Sequence, residues 1–402
     1  MHLAHWSIAQ TKNRETEASG IGWELFLNYR IARDKYKPDY FLYENNKSMS
    51  PAIRTQITAE LGVEPVLINS ALVSAQNRQR LYWVGRRNPD GTYSQVPVEQ
   101  PEERGIPLRD ILETGEAWRE KAYTLDAHYY KTAGLYDPTK QHSYSRLMAA
   151  ESVGIAINTC GEKSHTLKAQ YFKNGIANFI TNGGYDATAI AEPVRIGTIE
   201  SDAKNADFDS QQYRVYSPDG KSVTLCGNGG GVGAKTGLYA IPWNGKTYPV
   251  YEVKDGLITI KDRQYPIKLR DGLYIIRKLT VRECMRLQTV PEEYVFPVSN
   301  SQAYKMLGNG WTVDVIAHIM SHFTGLTEGQ VEVLSMYDGM SCGHIALDKL
   351  GVQPWLLRYY ATEIDKYAIQ TTQHNFPETI QLGDAFQVRN DDWRVAEWMK
   401  VV

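Results

Sequence analysis

An acid closes an aromatic run in Phe41-Leu42-Tyr43-Glu44-Asn45, and two arginines alternate in Gln76-Asn77-Arg78-Gln79-Arg80. A glycine-bearing turn, Tyr337-Asp338-Gly339-Met340-Ser341-Cys342-Gly343, follows the apolar run 331–336. A polar side chain at the C-terminal end of a buried strand faces ligand in α/β folds, and an arginine fork suits planar acceptors. Glycines in a strand-to-helix turn let the backbone approach a bound group. About twenty residues beyond the turn, Glu363-Ile364 ends the next apolar run, where an acid can accept hydrogen bonds from both hydroxyls of a ribose. Gly383-Asp384 ends a third run, and Gly308-Asn309-Gly310-Trp311-Thr312 forms a second glycine turn. Taken singly, Glu44 reads equally as a solvated strand end, Arg78 and Arg80 as surface charges, and the glycine turn as a plain connection. Together the turn, Glu363 and Asp384 form a nucleotide-binding βαβ pattern.

The elements that must position these groups are legible as runs and spacings. Residues 20–35 carry Trp23, Phe26, Leu27, Tyr29 and Ile31 at the spacings of a mostly buried helix, stopped by Lys37-Pro38-Asp39. Strands are expected at 40–43, 65–68 and 81–85. From about residue 96 to 274 the character changes to Tyr, Gly, Thr and Asn with short alternating runs such as 256–260 and 265–269, a β-rich, loop-rich module. Within it, Lys121–Leu125, Lys163–Leu167 and Lys221–Leu225 repeat one pattern at irregular spacing, which suggests reused hairpins and argues against a solenoid. Helical spacing returns at 280–287 and 313–323. After the hydrophilic link 324–330 comes strand 331–336, helix 345–350, strand 359–361 and strand 379–382.

Composition narrows the classes. With 402 residues, 42% hydrophobic and 22% charged, the chain can bury one large core or two ordinary ones. It has no apolar run of about eighteen residues and no signal-like leader at Met1-His2-Leu3-Ala4-His5, so a cytoplasmic protein without membrane contact is expected. Cys160, Cys226, Cys284 and Cys342 lack paired spacing, which supports neither a disulfide framework nor a metal site. A net charge of -2 counts against a protein that merely coats nucleic acid, while 26 tyrosines and nine tryptophans exceed the needs of a simple core. Gly229–Thr236 superficially matches a phosphate-binding loop, but Ala234 replaces its last glycine and no apolar strand precedes it; a recognition loop is expected there.

Taken together, the motifs resemble those of the DNA cytosine-5 methyltransferase family, of phage or bacterial restriction-modification type. The resemblance implies a Rossmann-like, S-adenosylmethionine-dependent α/β methyltransferase domain with an inserted β-rich target recognition domain. It implies that Tyr337, Asp338, Gly339, Met340, Gly343, Glu363, Ile364, Asp384, Asn309 and Trp311 bind S-adenosyl-L-methionine, Glu363 at the ribose and Asp384 at the adenine. Glu44 would hydrogen-bond N3 of a cytosine flipped from double-stranded DNA, Arg80 its O2, and Arg78 would orient the catalytic loop. Arg277–Gln288 resembles the helix that supports the recognition domain. The implied division is 1–95 for the target-base half, 96–274 for target recognition, 275–323 for closing helices, 324–330 as linker and 331–402 for the cofactor half.

Two departures bear on activity. The family runs from cofactor motif through Pro-Cys to the Glu-Asn motif, whereas here the cofactor half comes last, a circular permutation. No Pro-Cys dipeptide occurs in the chain, and Leu3 stands at roughly the place of the nucleophilic cysteine. Three readings follow from this: a methyltransferase whose Pro-Cys comes from a second chain, a catalytically inactive sequence-specific DNA binder, or a different S-adenosylmethionine enzyme. An arbitrary opening of a circular sequence would produce the same order.

Overall fold

The computed structural model describes residues 6, 15–115, 117, 121–122, 124–125, 127, 149–152, 195–198, 214–216, 238–239, 250–260, 263–267, 269–277 and 279–391. Leu3, Cys160, Cys226, the loop 229–236 and two of the three repeated Lys-to-Leu segments lie outside them. Contacts divide the chain into two compact units: Met1–Glu113, Arg119–Ala133 and Leu279–Val402 form the first, Thr114–Trp118 and Gly134–Lys278 the second.

The first unit opens with α1 (Gly20–Tyr36), β1 (Tyr40–Asn46), α2 (Pro51–Leu61), β2 (Pro65–Asn69), β3 (Gln79–Arg87) and β4 (Tyr93–Gln95). Helix α2 begins where it does because Ser50 caps it, accepting from Ile53 N, with Pro51 in the first turn where its missing N–H costs nothing. β3 is central to an antiparallel sheet in the order β1-β3-β2, with β4 on β3. Burial alternates along β1, sending Phe41, Tyr43 and Asn45 inward while Tyr40, Leu42 and Glu44 lie on the other face. Trp6, Phe26, Phe41, Tyr43, Ile53, Ile57 and Trp83 form the core beneath it. Burial of each such side chain contributes about 1.5–3 kcal/mol.

The second unit is antiparallel β. In it, β5 (Ala149–Ser152), β9 (Val250–Lys254), β10 (Leu257–Ile260), β11 (Arg263–Pro266) and β12 (Gly272–Arg277) pair in the order β11-β10-β9-β12-β5. Asp255-Gly256, both at positive φ, turn β9 into β10. A separate small sheet joins β6 (Arg195–Thr198), β7 (Arg214–Tyr216) and β8 (Leu238–Tyr239). The strand expected at 265–269 is β11, which ends at Pro266 because proline cannot donate to the ladder.

The chain then returns to the first unit through α3 (Val281–Leu287), α4 (Asn300–Asn309), α5 (Val313–Met320), β13 (Val331–Met336), α6 (Cys342–Lys349), β14 (Leu357–Thr362), α7 (Lys366–Asn375), β15 (Ile380–Gly383) and α8 (Ala385–Asn390). Thr280 and Glu283 close a capping box at the start of α3. β13, β14 and β15 are parallel in that order, joined by α6 and α7, which is the expected βαβ unit. Helix α6 starts three residues before the expected Ile345, since Ser341 enters the left-handed region and sets the first turn at Cys342. Helix α1 serves both sheets: Phe26 packs with Phe41 and Tyr43, and Ala32 with Leu334, Met336 and Val388.

Gly85 of β3 is covered by the Phe41 ring, so a methyl group there would fall on that ring. Gly85→Ala is expected to lower stability by about 1–3 kcal/mol, read as a lower urea midpoint at unchanged slope.

Candidate functional site

At the C-terminal ends of the parallel strands, Tyr337, Thr362, Glu363, Ile364, Gly383, Asp384 and Ala385 line one pocket. Glu363 is 5% exposed, and its carboxylate is fixed by backbone: Oε2 accepts from Gly339 N at 2.9 Å, Oε1 from Ile364 N at 2.7 Å and Asp365 N at 2.8 Å. These backbone donors hold the carboxylate in place at the pocket. Ile364 is 49% exposed, an apolar side chain left open beside the acid. Asp384 caps α8, with Oδ1 accepting from Phe386 N at 2.9 Å.

The glycine turn is strained where it must bend. Tyr337 and Ser341 hold φ of 60° and 57°, a region in which L side chains are costly, and Gly339 holds 63°. The Tyr337 hydroxyl donates to Leu25 O and accepts from Asn28 Nδ2, tying the turn to α1. Gly343 admits Tyr359, whose hydroxyl oxygen would lie 2.7 Å from an added Cβ. That hydroxyl donates to Asp338 Oδ1 at 2.8 Å, and Ser341 Oγ donates to Oδ2. Burial pushes the Asp338 carboxyl up to about 6 against these hydrogen bonds. Met340 is 1% exposed and its carbonyl accepts from Tyr294.

Glu44, Arg78 and Arg80 come together around β1 and β3. Glu44 Oε1 pairs with Arg80 Nε at 3.0 Å, the two side chains 10% and 14% exposed. Glu44 Oε2 accepts from Trp311 Nε1 at 3.1 Å. Arg78 is buried and donates to the carbonyls of Leu125 at 3.1 Å, Gly308 at 3.4 Å and Gly310 at 2.8 Å. Burial moves its guanidinium down to about 9, and the neighbouring Arg80 charge acts in the same direction. Asn309 ends α4, and Trp311 follows it before Thr312 and α5. Thus one turn, 308–312, touches both groups: its carbonyls hold Arg78, its indole reaches Glu44, and Trp311 O accepts from Cys342 Sγ at 3.7 Å.

The two described cysteines, Cys284 and Cys342, are buried. Burial pushes the Cys342 thiol up to about 12, so it packs as a small apolar group. Among the described residues no group of three or more His, Cys, Asp or Glu could hold a metal ion. No helix among them is long and apolar enough to cross a membrane.

Sequence spacing missed Thr362, Ala385 and Tyr359, and named Gly383 only as a strand end. Gly383 sits beside the motif acid with φ of 80°, a signal a strand-end glycine offers. Tyr359 lies inside β14, where nothing in the pattern marks the hydroxyl that reaches Asp338.

The Asp338 carboxyl gives a signed pH dependence. Its folded-state pKa is raised to about 6, so between about pH 4 and pH 6 the native chain holds a proton that the unfolded chain has released. Stability from this group therefore falls as pH rises through that window. Asp338→Asn is expected to flatten the fall by about 1–3 kcal/mol, measured as urea midpoints at pH 4.5 and pH 7.

Residues 4–324 match the C-5 cytosine-specific DNA methylase family. The type II methyltransferase M.HpaII of Haemophilus parainfluenzae is 54% identical over 304 residues, covering 73% of this chain and 62% of that protein. The orphan methyltransferase M.SPBetaI of Bacillus phage SPbeta is 25% identical over 324 residues, 73% of this chain and 68% of that protein. The type II methyltransferase M.HhaI of Haemophilus parahaemolyticus is 35% identical over 109 residues, and the chain spans only 24% of its length. With four fifths of its residues inside the match, and with the paired Glu44 and Arg80 and the turn 308–312 among them, the chain belongs to the C-5 cytosine-specific DNA methylase family.

Proposed function

We propose that the chain is the cofactor-binding and base-binding body of a DNA cytosine-5 methyltransferase, acting on one cytosine flipped from duplex DNA. The observation that carries this reading is the Glu44 carboxylate, held by Arg80 on one oxygen and Trp311 on the other. Attack at C6 of cytosine moves negative charge onto the ring, and an acid with an adjacent guanidinium fits N3 and O2 of that ring. M.HpaII and M.HhaI are named as type II methyltransferases, and M.SPBetaI as an orphan one.

The residues fit S-adenosyl-L-methionine. Glu363 would take the ribose, Asp384 the adenine amino group, and the exposed Ile364 an adenine face. When bound, that group supplies the methyl. Residues of the second unit would read the bases flanking the target in the major groove.

The reading includes a circular permutation. The family match stops at residue 324, where the hydrophilic link begins, and the parallel βαβ unit follows it. Support for a partner strand comes from the sheets. Among the described residues β1 pairs with β3 and β13 with β14, and both edge strands pack on α1. A second chain carrying a strand and Pro-Cys would find backbone groups there to pair with. Such a chain would also bring the thiolate that Cys342, with its raised pKa, does not provide.

Calorimetry with S-adenosylhomocysteine tests the cofactor site. Binding by the chain and a loss of at least tenfold in Glu363→Ala are expected; equal behaviour of the two removes the assignment. Transfer of radiolabelled methyl to mixed-sequence duplex DNA tests the chemistry, comparing the chain with a His2→Pro, Leu3→Cys variant. Activity in the variant alone is expected of a competent site lacking its nucleophile. Activity in both would mean that another group attacks C6, and silence in both would favour the DNA-binding homologue without turnover.

A further inference from the structure

The Trp311 ring spans two places at once. Its Nε1 edge donates to Glu44 Oε2 at 3.1 Å, and its Cζ3 edge lies 3.8 Å from where a Cβ on Gly343 would stand, at the first turn of α6. The main chain on either side is held as well. Gly310 O accepts from Arg78 at 2.8 Å and from Gln288 at 3.4 Å, Trp311 O accepts from Cys342 Sγ, and Thr312 Oγ1 donates to Gln288 Oε1 at 2.9 Å. Gly310 itself has no room for a side chain to relax into, since a Cβ there would lie 3.1 Å from Met306 O and 3.2 Å from Cys342 Sγ. The main chain that carries the indole is therefore held on both sides, and its N–H is directed at Glu44.

We propose that Trp311 is the positioning residue of the base pocket. It sets the plane and rotamer of the Glu44 carboxylate, so that this acid meets the target base in one pose. This rests on the reading of Glu44 as the base-facing acid. A glutamate has three rotatable side-chain bonds, and Arg80 alone constrains one oxygen through a long side chain of its own. Two donors on two different oxygens define the carboxylate plane, which one donor leaves free to rotate. The remaining lone-pair directions are then aimed before any base arrives, the preorganisation that makes a polar pocket selective. Trp311 also touches the start of α6, so the pose of Glu44 is set from the same glycine turn that forms the proposed cofactor pocket.

The test uses the full chain and a duplex selected from a random-sequence pool by retention on it. At each cytosine in turn the partner base is removed and the duplex is remade in two forms, one keeping the cytosine and one with an abasic site in its place, so that neither has a base pair to open, and affinities are compared. The wild-type chain is expected to prefer cytosine over the abasic site at one position by at least tenfold. Trp311→Phe keeps a flat ring against Gly343 but lacks the N–H donor. It is expected to lose about tenfold of that preference, with affinity for the abasic duplex within about twofold of wild type, a difference of about 1.4 kcal/mol. In a Glu44→Gln background the same substitution is expected to change the preference by less than twofold, because Trp311 acts through Glu44. Equal weakening on both duplexes, or an undiminished effect in the Glu44→Gln background, would overturn the role of Trp311. A wild-type chain that binds duplex but prefers cytosine at no position would instead overturn the reading of Glu44 on which the role rests.

Discussion

The buried guanidinium of Arg78 is the constraint on which the centre of the first unit depends. A cation out of water must have its donors met, and here carbonyl oxygens meet them: Leu125, Gly308 and Gly310. Two of these belong to the end of α4, where carbonyls are left without intrahelical partners and the helix dipole is negative. The cost of burying the charge and the cost of ending a helix inside the protein therefore offset each other. Gln288 joins the same turn through Leu307 O and Thr312, so residues 307–312 are clamped by Arg78, just ahead of β3, on one side and from the end of α3 on the other.

Around that clamp, three acids are held by three different means. Glu44 sits between an arginine and an indole N–H, Glu363 among backbone N–H groups, and Asp338 among hydroxyls. Burial, acting against its hydroxyl donors, leaves the Asp338 carboxyl raised to about 6. Environment, more than residue type, assigns these carboxylates different work. Glu363 is locked in place at the pocket; Asp338 is tied inward to Tyr359 and Ser341 and stiffens the turn beside it.

What could be read from the chain was what depends on local pattern. The aromatic run ending in Glu44 fixed a strand because alternate residues face a core, and β13 was visible to its last residue because the apolar stretch stops at Tyr337. The Glu363 and Asp384 positions were legible for the same reason, standing at strand ends with the spacing of a βαβ unit. The role of Trp311 was not. Its motif suggested the cofactor, while its N–H contacts Glu44, a residue 267 positions away in sequence. Nothing in the spacing of Arg78 and Arg80 shows their partners either: Arg78, just ahead of β3, reaches the carbonyls of a buried turn, while Arg80, inside the strand, pairs with Glu44. Partnerships made across the fold leave no period in the sequence, and the start of α6 at Cys342 turned on one left-handed serine.

The thiol of Cys342 is held by the turn 308–312. It stands at the end of the glycine turn, where α6 begins, and a nucleophile would be tempting to assign there. Yet its sulfur lies against the space Gly310 leaves empty and donates to Trp311 O, and burial holds the proton on it. A side chain used to pack the turn that aims Glu44 cannot leave that place to attack a base without loosening the turn itself. On the proposed reading, binding and orientation of both base and cofactor converge on residues 308–312 and 337–343. The bond-forming group is then a separable requirement, and a thiolate brought from outside this turn would meet a pocket already set.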